Sequence, residues 1–310
     1  MKVAIAGAGA MGSRFGFMLH EAGEDVILID EWQEHIDAIQ ENGLHVEKDG
    51  VSYQVDIPIF QPKEVTETKD LIIMFTKSMY LENMLQNIAE IIGPKTKILC
   101  LLNGVGHESI LQQYVPLENI IMGVTILTSK LTGPGKISFA GGGLTEIQNF
   151  VEQEDAKNST LEIVSVLQRA GLDVEYSEDV MYSIWRKACV NGAMNATCAL
   201  LDCNLAELES VQPSEAIIRS IVREFVDVAK DRGTVLDEDE IVEYIITSSK
   251  AVGHHYPSMH QDLVQNHRLT EIDFLNGAVA RMAKEQQKEA PVNTLITQLV
   301  HAKEELLQAK

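Results

Sequence analysis

Residues 2–12 read KVAIAGAGAMG, and the organisation of the whole chain can be worked outward from them. A short apolar run, VAIAGA, has the texture of a buried strand, and a helix begins near Met11. Between them Gly7, Gly9 and Gly12 fall in the spacing G-x-G-x-x-G. The first glycine permits a tight turn, the second lets backbone approach a pyrophosphate, and the third lets helix and strand pack closely. Phosphates then sit at a helix N-terminus, where free N–H groups and the helix dipole favour anions. Three glycines alone make only a turn. Here they follow a strand, open a helix, and are trailed by a second strand, DVILID, that ends in an acid, Asp30.

A carboxylate about 20 residues beyond such a turn accepts hydrogen bonds from the adenosine ribose hydroxyls. A 2′-phosphate there would face both Asp30 and Glu31, so NAD is favoured over NADP. The expected cofactor contacts are Gly7, Ala8, Gly9, Ala10, Met11, Gly12 and Asp30. Further runs, DLIIMFT, KILCLLN and NIIMGVTIL, are apolar on both faces, and amphipathic stretches separate several of them. That alternation predicts a doubly wound parallel sheet of the Rossmann type. Asp49-Gly50 and the stretch GPGKISFAGGG predict antiparallel hairpins inserted into it. Lys77, in FTKS, and Asn103-Gly104, in LLNGVG, follow strands at the carboxyl edge, where open α/β sheets bind ligands.

After about residue 178 the strands stop and long amphipathic helices take over, among them SEAIIRSIVREFVDVAKDRG, with Ser214 placed to cap it and Gly233 to end it. Two domains are expected, residues 1–178 of Rossmann type and 179–310 all helical. The net charge of −21 over 310 residues leaves no basic stripe for nucleic acid. No apolar run approaches the ~20 residues of a membrane span. Cys100, Cys189, Cys198 and Cys203 form no C-x-x-C pair, and the N-terminus is too glycine-rich for a signal peptide. A cytoplasmic protein with reduced thiols is expected, and the C-terminal helices could pair two subunits into a homodimer.

Arg186–Asn195, RKACVNGAMN, places Lys187, Asn191 and Asn195 at i, i+4 and i+8. On an α-helix they fall within about 80° of arc. A lysine whose pKa is brought toward neutrality by desolvation can protonate an alkoxide, and two amides beside it offer directional hydrogen bonds to a carboxylate or keto oxygen. In PSMHQDLVQNHRLTEIDFLNG, position alone makes Ser258 and Glu271 helix-terminal residues, a cap and a dipole partner. His254, His255, His260 and His267 match no ligand spacing, so no metal is expected.

Taken together, GAGAMGS, TKS, LLNGVG, WRKACVNGAMN and PSMHQDL…TEIDFLNG resemble the ketopantoate reductase family over essentially the whole chain. The resemblance implies a Rossmann domain followed by a helical domain and reduction of a 2-keto acid. It implies Lys187 as general acid and base, with Glu271 catalytic and holding the polar end of the substrate or the lysine. Asn191, Asn195 and Ser258 would bind substrate. Lys77, Asn103 and Glu271 would lie by the cofactor, with Asn103 at the nicotinamide end and near the substrate. The acid at position 30, where NADPH-dependent members commonly carry a basic residue, resembles the NAD-dependent D-2-hydroxyacid branch that includes D-mandelate dehydrogenases. The expectation is therefore reversible hydride transfer between NADH and a branched or aromatic 2-keto acid. The alternatives are 2-dehydropantoate 2-reductase itself and a nicotinamide-binding sensor without turnover.

Overall fold

The computed structural model describes residues 1–250 and 253–310 in full, and the backbone alone of 251–252. Contacts divide the chain into two compact units, Met1–Leu102 with His107–Val180, and Asn103–Gly106 with Met181–Lys310.

The first unit holds twelve strands: β1 (Lys2–Ala6), β2 (Asp25–Ile29), β3 (Leu44–Lys48), β4 (Val51–Val55), β5 (Ile59–Phe60), β6 (Leu71–Met74), β7 (Lys97–Cys100), β8 (Ile120–Thr125), β9 (Lys130–Gly133), β10 (Lys136–Phe139), β11 (Thr145–Asn149) and β12 (Val174–Tyr176). Eight of them form one sheet in the order β12-β11-β8-β7-β6-β1-β2-β5. From β5 to β8 the neighbours are parallel, and β11 turns antiparallel to β8. The chain reverses direction across the sheet between β1 and β6, the switch point at which doubly wound sheets take ligands. Ile5, Leu28, Ile73 and Leu99 from adjacent strands are all fully buried, which is why these strands read as unbroken apolar runs.

The first unit's helices are α1 (Ala10–Glu21), α2 (Gln33–Asn42), α3 (Leu81–Asn87), α4 (Glu108–Leu111) and α5 (Glu154–Arg169). The expected hairpins form a second sheet, β4-β3-β10-β9. Asp49 and Gly50 both take positive φ, 51° and 80°, as a tight two-residue hairpin turn requires. Helix α1 is buried along Gly12–Leu19 because it touches strands of both sheets: Gly16 lies against Leu28 of β2, and Phe17 meets Phe139 of β10 with centroids 6.3 Å apart. A helix covered on two sides is apolar nearly all round.

The second unit contains α6 (Val180–Val190), which begins at the last residue of the first, α7 (Ala196–Leu201), α8 (Leu205–Ser210), α9 (Ser214–Asp231), α10 (Glu238–Val252), α11 (Ser258–His260), α12 (Asn276–Glu285) and α13 (Pro291–Leu306). Ile218, Ile221, Val222, Phe225, Val228 and Ala229 form the buried stripe of α9. Ser214 does not cap that helix. Pro213 holds the cap position with no side-chain bond, and Ser214 is the first helical residue. Helix α13 is capped from a distance: Glu224 of α9 accepts from the backbone N–H groups of Val292 and Asn293, both at 2.9 Å, in place of a local cap.

Two expectations are corrected here. Position along the sequence put Asn103 with the first domain, yet Asn103–Gly106 belongs to the helical unit. Val105 N–H donates to the Phe274 carbonyl at 2.9 Å. Gly104, at φ 102°, lies so close that a Cβ there would stand 2.1 Å from the same oxygen, so only glycine permits the approach. The stretch RKACVNGAMN is not uniform α-helix either. Residues Asn191–Asn195 form a π turn between α6 and α7, widening the helix where the expected polar residues lie.

Candidate active site

In the first unit, the turn after β1 is set by close approach. Gly7 has φ 99°, and a Cβ there would lie 2.3 Å from the Thr76 backbone nitrogen beyond β6. A Cβ at Gly12 would meet the Gly7 carbonyl at 1.9 Å. Gly9 differs, because a Cβ there would meet nothing within 4 Å. The first and third glycines are needed by the fold, and the second faces open space at the start of α1. Gly9 gives the helix no side-chain cap, and the first turn, Ala10 and Met11 included, carries no acid. An open glycine, an uncapped N-terminus and no opposing negative charge suit a pyrophosphate.

Asp30 follows β2 and reaches back to the same turn. One of its oxygens accepts from Ala8 N–H at 2.7 Å, the other from Trp32 N–H at 2.9 Å. The remaining lone pairs of a half-exposed carboxylate can take ribose hydroxyls. Glu31 is held by the side-chain amides of Asn83 and Asn87, at 3.0 and 3.2 Å, which keeps a second negative charge beside Asp30. Lys77 is half-buried after β6, at the entry to the short 3-10 turn Ser78–Tyr80. These residues fit a dinucleotide with free ribose hydroxyls.

In the second unit, Asn103, Asn191, Asn195, Ser258 and Glu271 line one pocket with Asp262, Met259 and Leu275. The π turn supplies Asn191 and Asn195, and its geometry has identifiable causes. Gly192 packs so closely on Phe225 that a Cβ would stand 2.5 Å from the ring. Buried Asn276 donates to the Gly192 carbonyl at 3.1 Å, pairing an oxygen in the widened turn. Asn276 also bonds Asn293 at 2.9 Å, tying the turn to α13.

Neither Ser258 nor Glu271 acts as a helix cap: no side-chain cap bond is made at α11 or at the 3-10 turn Ile272–Phe274. The Ser258 hydroxyl instead accepts from the Asn195 amide at 3.3 Å. Lys187, half-buried one turn before Asn191, has its ammonium lowered to about 8 by burial, with the charge of Glu271 opposing the shift. At neutral pH it keeps its proton and can release it near neutrality, the behaviour of a general acid.

Sequence reasoning missed two residues. Asp262 is buried in the pocket wall and pairs with Arg268 at 2.8 Å; its i+4 spacing from Ser258 was the available signal. Asn276, in FLNG, carried no local signal, because its partner lies 84 residues away. Among the histidines, buried His260 lies 2.9 Å from Asp202 and stacks on Tyr256. Among the described residues no group of three or more His, Cys, Asp or Glu could hold a metal ion, and no helix is long and apolar enough to cross a membrane.

Comparison with known proteins matches residues 3–152 to the family described as ketopantoate reductase PanE/ApbA, and residues 179–304 to its C-terminal region. The chain belongs to the ketopantoate reductase family. As such it is an NAD(P)-dependent oxidoreductase acting on a CH–OH group. A 2-dehydropantoate 2-reductase of Streptococcus pyogenes serotype M6 is 50% identical over 308 residues, 99% of each chain. The crystal structure of an Enterococcus faecalis protein described as a 2-dehydropantoate 2-reductase is 48% identical, with a TM-score of 0.83 over the full length of both. A D-mandelate dehydrogenase solved with NADH and anilino(oxo)acetate is 45% identical, with a TM-score of 0.95 over the full length of both.

The expectation of a D-mandelate-type dehydrogenase for branched or aromatic keto acids is overturned by the full-length relatives at 50% identity, which are ketopantoate reductases. Six of the pocket's lining side chains are amides, acids or a hydroxyl, and only Met259 and Leu275 are apolar.

Proposed function

We propose that this ketopantoate reductase family member is a 2-dehydropantoate 2-reductase that uses NADH in preference to NADPH. The observation that carries the substrate assignment is the polar pocket beside Lys187 and Glu271. Its substrate, ketopantoate, is a 2-keto acid with a hydroxymethyl group, which needs hydrogen-bonding partners at both ends. Bound NADH supplies a hydride to the keto carbon. Lys187 protonates the oxygen on which charge develops, and in the reverse direction neutral Lys187 takes the hydroxyl proton. Asn191, Asn195, Ser258 and Asn103 orient the substrate through hydrogen bonds, and Glu271 holds its polar end while keeping the Lys187 ammonium charged. Placing a proton donor at the developing charge contributes about 10²–10⁴-fold in rate.

The coenzyme preference rests on Asp30, whose two oxygens already bond the glycine turn and the loop after β2. A 2′-phosphate there would meet that carboxylate and Glu31 without compensation. The deciding experiment compares kcat/KM for ketopantoate and phenylglyoxylate with NADH, then for NADH and NADPH with ketopantoate. Preference for ketopantoate and for NADH is expected; preference for phenylglyoxylate would overturn the substrate assignment, and preference for NADPH the coenzyme assignment.

A further inference from the structure

The pocket's Glu271 lies on a segment gripped by α13. Buried Glu304 accepts with one oxygen from both the backbone N–H and the hydroxyl of Thr270, at 2.8 and 2.7 Å. Its other oxygen faces His301 Nδ1 at 2.9 Å. His301 Nε2 in turn faces Asp273 Oδ1 at 3.0 Å. Thr270 and Asp273 stand immediately before Glu271 and two residues after it, so one histidine and one buried glutamate bracket it from both sides. The Thr270 hydroxyl also accepts from Ile272 N–H at 3.3 Å, closing the turn across Glu271.

Both ring nitrogens of His301 face carboxylate oxygens, and both can donate only when the ring is an imidazolium. Burial pulls its pKa down, but the hydrogen bonds to Glu304 and Asp273 outweigh that and hold it above the ordinary 6.5. The charged neighbours are few. Asp273 comes from the 3-10 turn, Glu304 from α13 itself, and Arg281 of α12 donates to the Asp273 carbonyl at 3.3 Å. Lys303 is directed to the carbonyls of Ala199 and Leu200. Glu224 of α9 serves the opposite end of α13, and α7 carries no charged side chain.

We propose that His301 and Glu304 are positioning residues for the substrate site: they hold Thr270–Asp273 in the conformation that presents Glu271 to the pocket, so substrate affinity is set from α13. The proposal rests on the reading that Glu271 binds substrate. His301 does not line the substrate pocket, so its loss acts on KM for the keto acid and leaves the chemical step in place.

The test is His301→Leu and Glu304→Gln, with Glu271→Gln as reference. In His301→Leu, KM for ketopantoate rises about tenfold at pH 6, the weight of one charge-assisted hydrogen bond, while kcat and KM for NADH stay within about twofold of the parent. As pH rises and His301 of the parent loses its proton, it keeps one of the two donated hydrogen bonds, so the ratio of variant to parent KM falls without reaching one. Lys187, which Glu271 helps to keep charged, titrates at about 8, so the ratio is compared below that pH, where the lysine holds its proton in both proteins. A ratio of one at every pH, a pH-independent ratio, or a kcat loss as large as the KM rise would overturn the proposal. Should His301→Leu not fold, Glu304→Gln is read by the same ratio. If Glu271→Gln leaves KM unchanged, the substrate-binding reading of Glu271 has failed. If Glu271→Gln raises KM and neither α13 variant does, the positioning role alone has failed.

Discussion

The side-chain amide of Asn276 donates to the carbonyl of Gly192 at 3.1 Å, both groups being buried. That bond pairs an oxygen within the π turn from which Asn191 and Asn195 reach the pocket, so the shape of the substrate site depends on a residue that does not line it. Removing one partner of a buried hydrogen bond costs about 1–3 kcal/mol. Asn276→Ala is therefore expected to lose that much stability in urea denaturation, and to lower kcat/KM for ketopantoate more than for NADH. Unchanged stability would show that the turn does not need this bond.

Gly192 should tolerate no side chain. A Cβ 2.5 Å from the Phe225 ring overpacks the core, at about 1–3 kcal/mol. Gly192→Ala should thus be destabilised, and the added Phe225→Leu substitution should recover part of the loss, a non-additivity that a double-mutant cycle measures.

The glycines of the first turn should separate fold from cofactor. Gly7→Ala forces a Cβ against the Thr76 backbone at positive φ and should destabilise the protein by about 1 kcal/mol or more. Gly9→Ala meets only open space, so its melting temperature should match the parent while its Kd for NADH rises. A loss of stability in Gly9→Ala, or intact NADH affinity, would sink this division of roles.

The pH dependence of turnover follows from Lys187. Its ammonium, lowered by burial to about 8, is the proton donor in reduction, so kcat for ketone reduction should fall as pH rises through that value. Oxidation of the hydroxy acid needs the neutral amine and should rise over the same range. Lys187→Ala should lose about 10²–10⁴-fold in kcat with NADH affinity nearly unchanged, and both pH limbs should vanish. Near-normal turnover would remove Lys187 from the chemistry.

Asp30 carries a structural and a recognition role together, since it also accepts from Ala8 N–H. Asp30→Asn retains an acceptor for that bond and removes the charge. The ratio of kcat/KM for NADPH over NADH should rise in this variant, and an unchanged ratio would mean that the charge of Asp30 does not select the coenzyme.

The sequence by itself determined the features whose physics is local. The glycine turn, the buried strands, the Asp49-Gly50 hairpin and the amphipathic stripe of α9 are each legible because periodicity and turn geometry act within a few residues. Lys187, Asn191 and Asn195 could be read as a polar set at helical spacing, but not the π turn that residues 191–195 adopt. The substrate class was misjudged because Asp30, which bears on the sugar of the coenzyme, says nothing of the residues that meet the keto acid. Only the tertiary structure decided that Asn103–Gly106 packs with the helices through Phe274, that residues 191–195 widen into a π turn, and that Asp262 joins the pocket wall. It alone placed Glu304 on Thr270 and His301 on Asp273, from 34 and 28 residues away. These depend on which distant backbone segments meet and pair the polar groups they bury, and no window of sequence contains both partners.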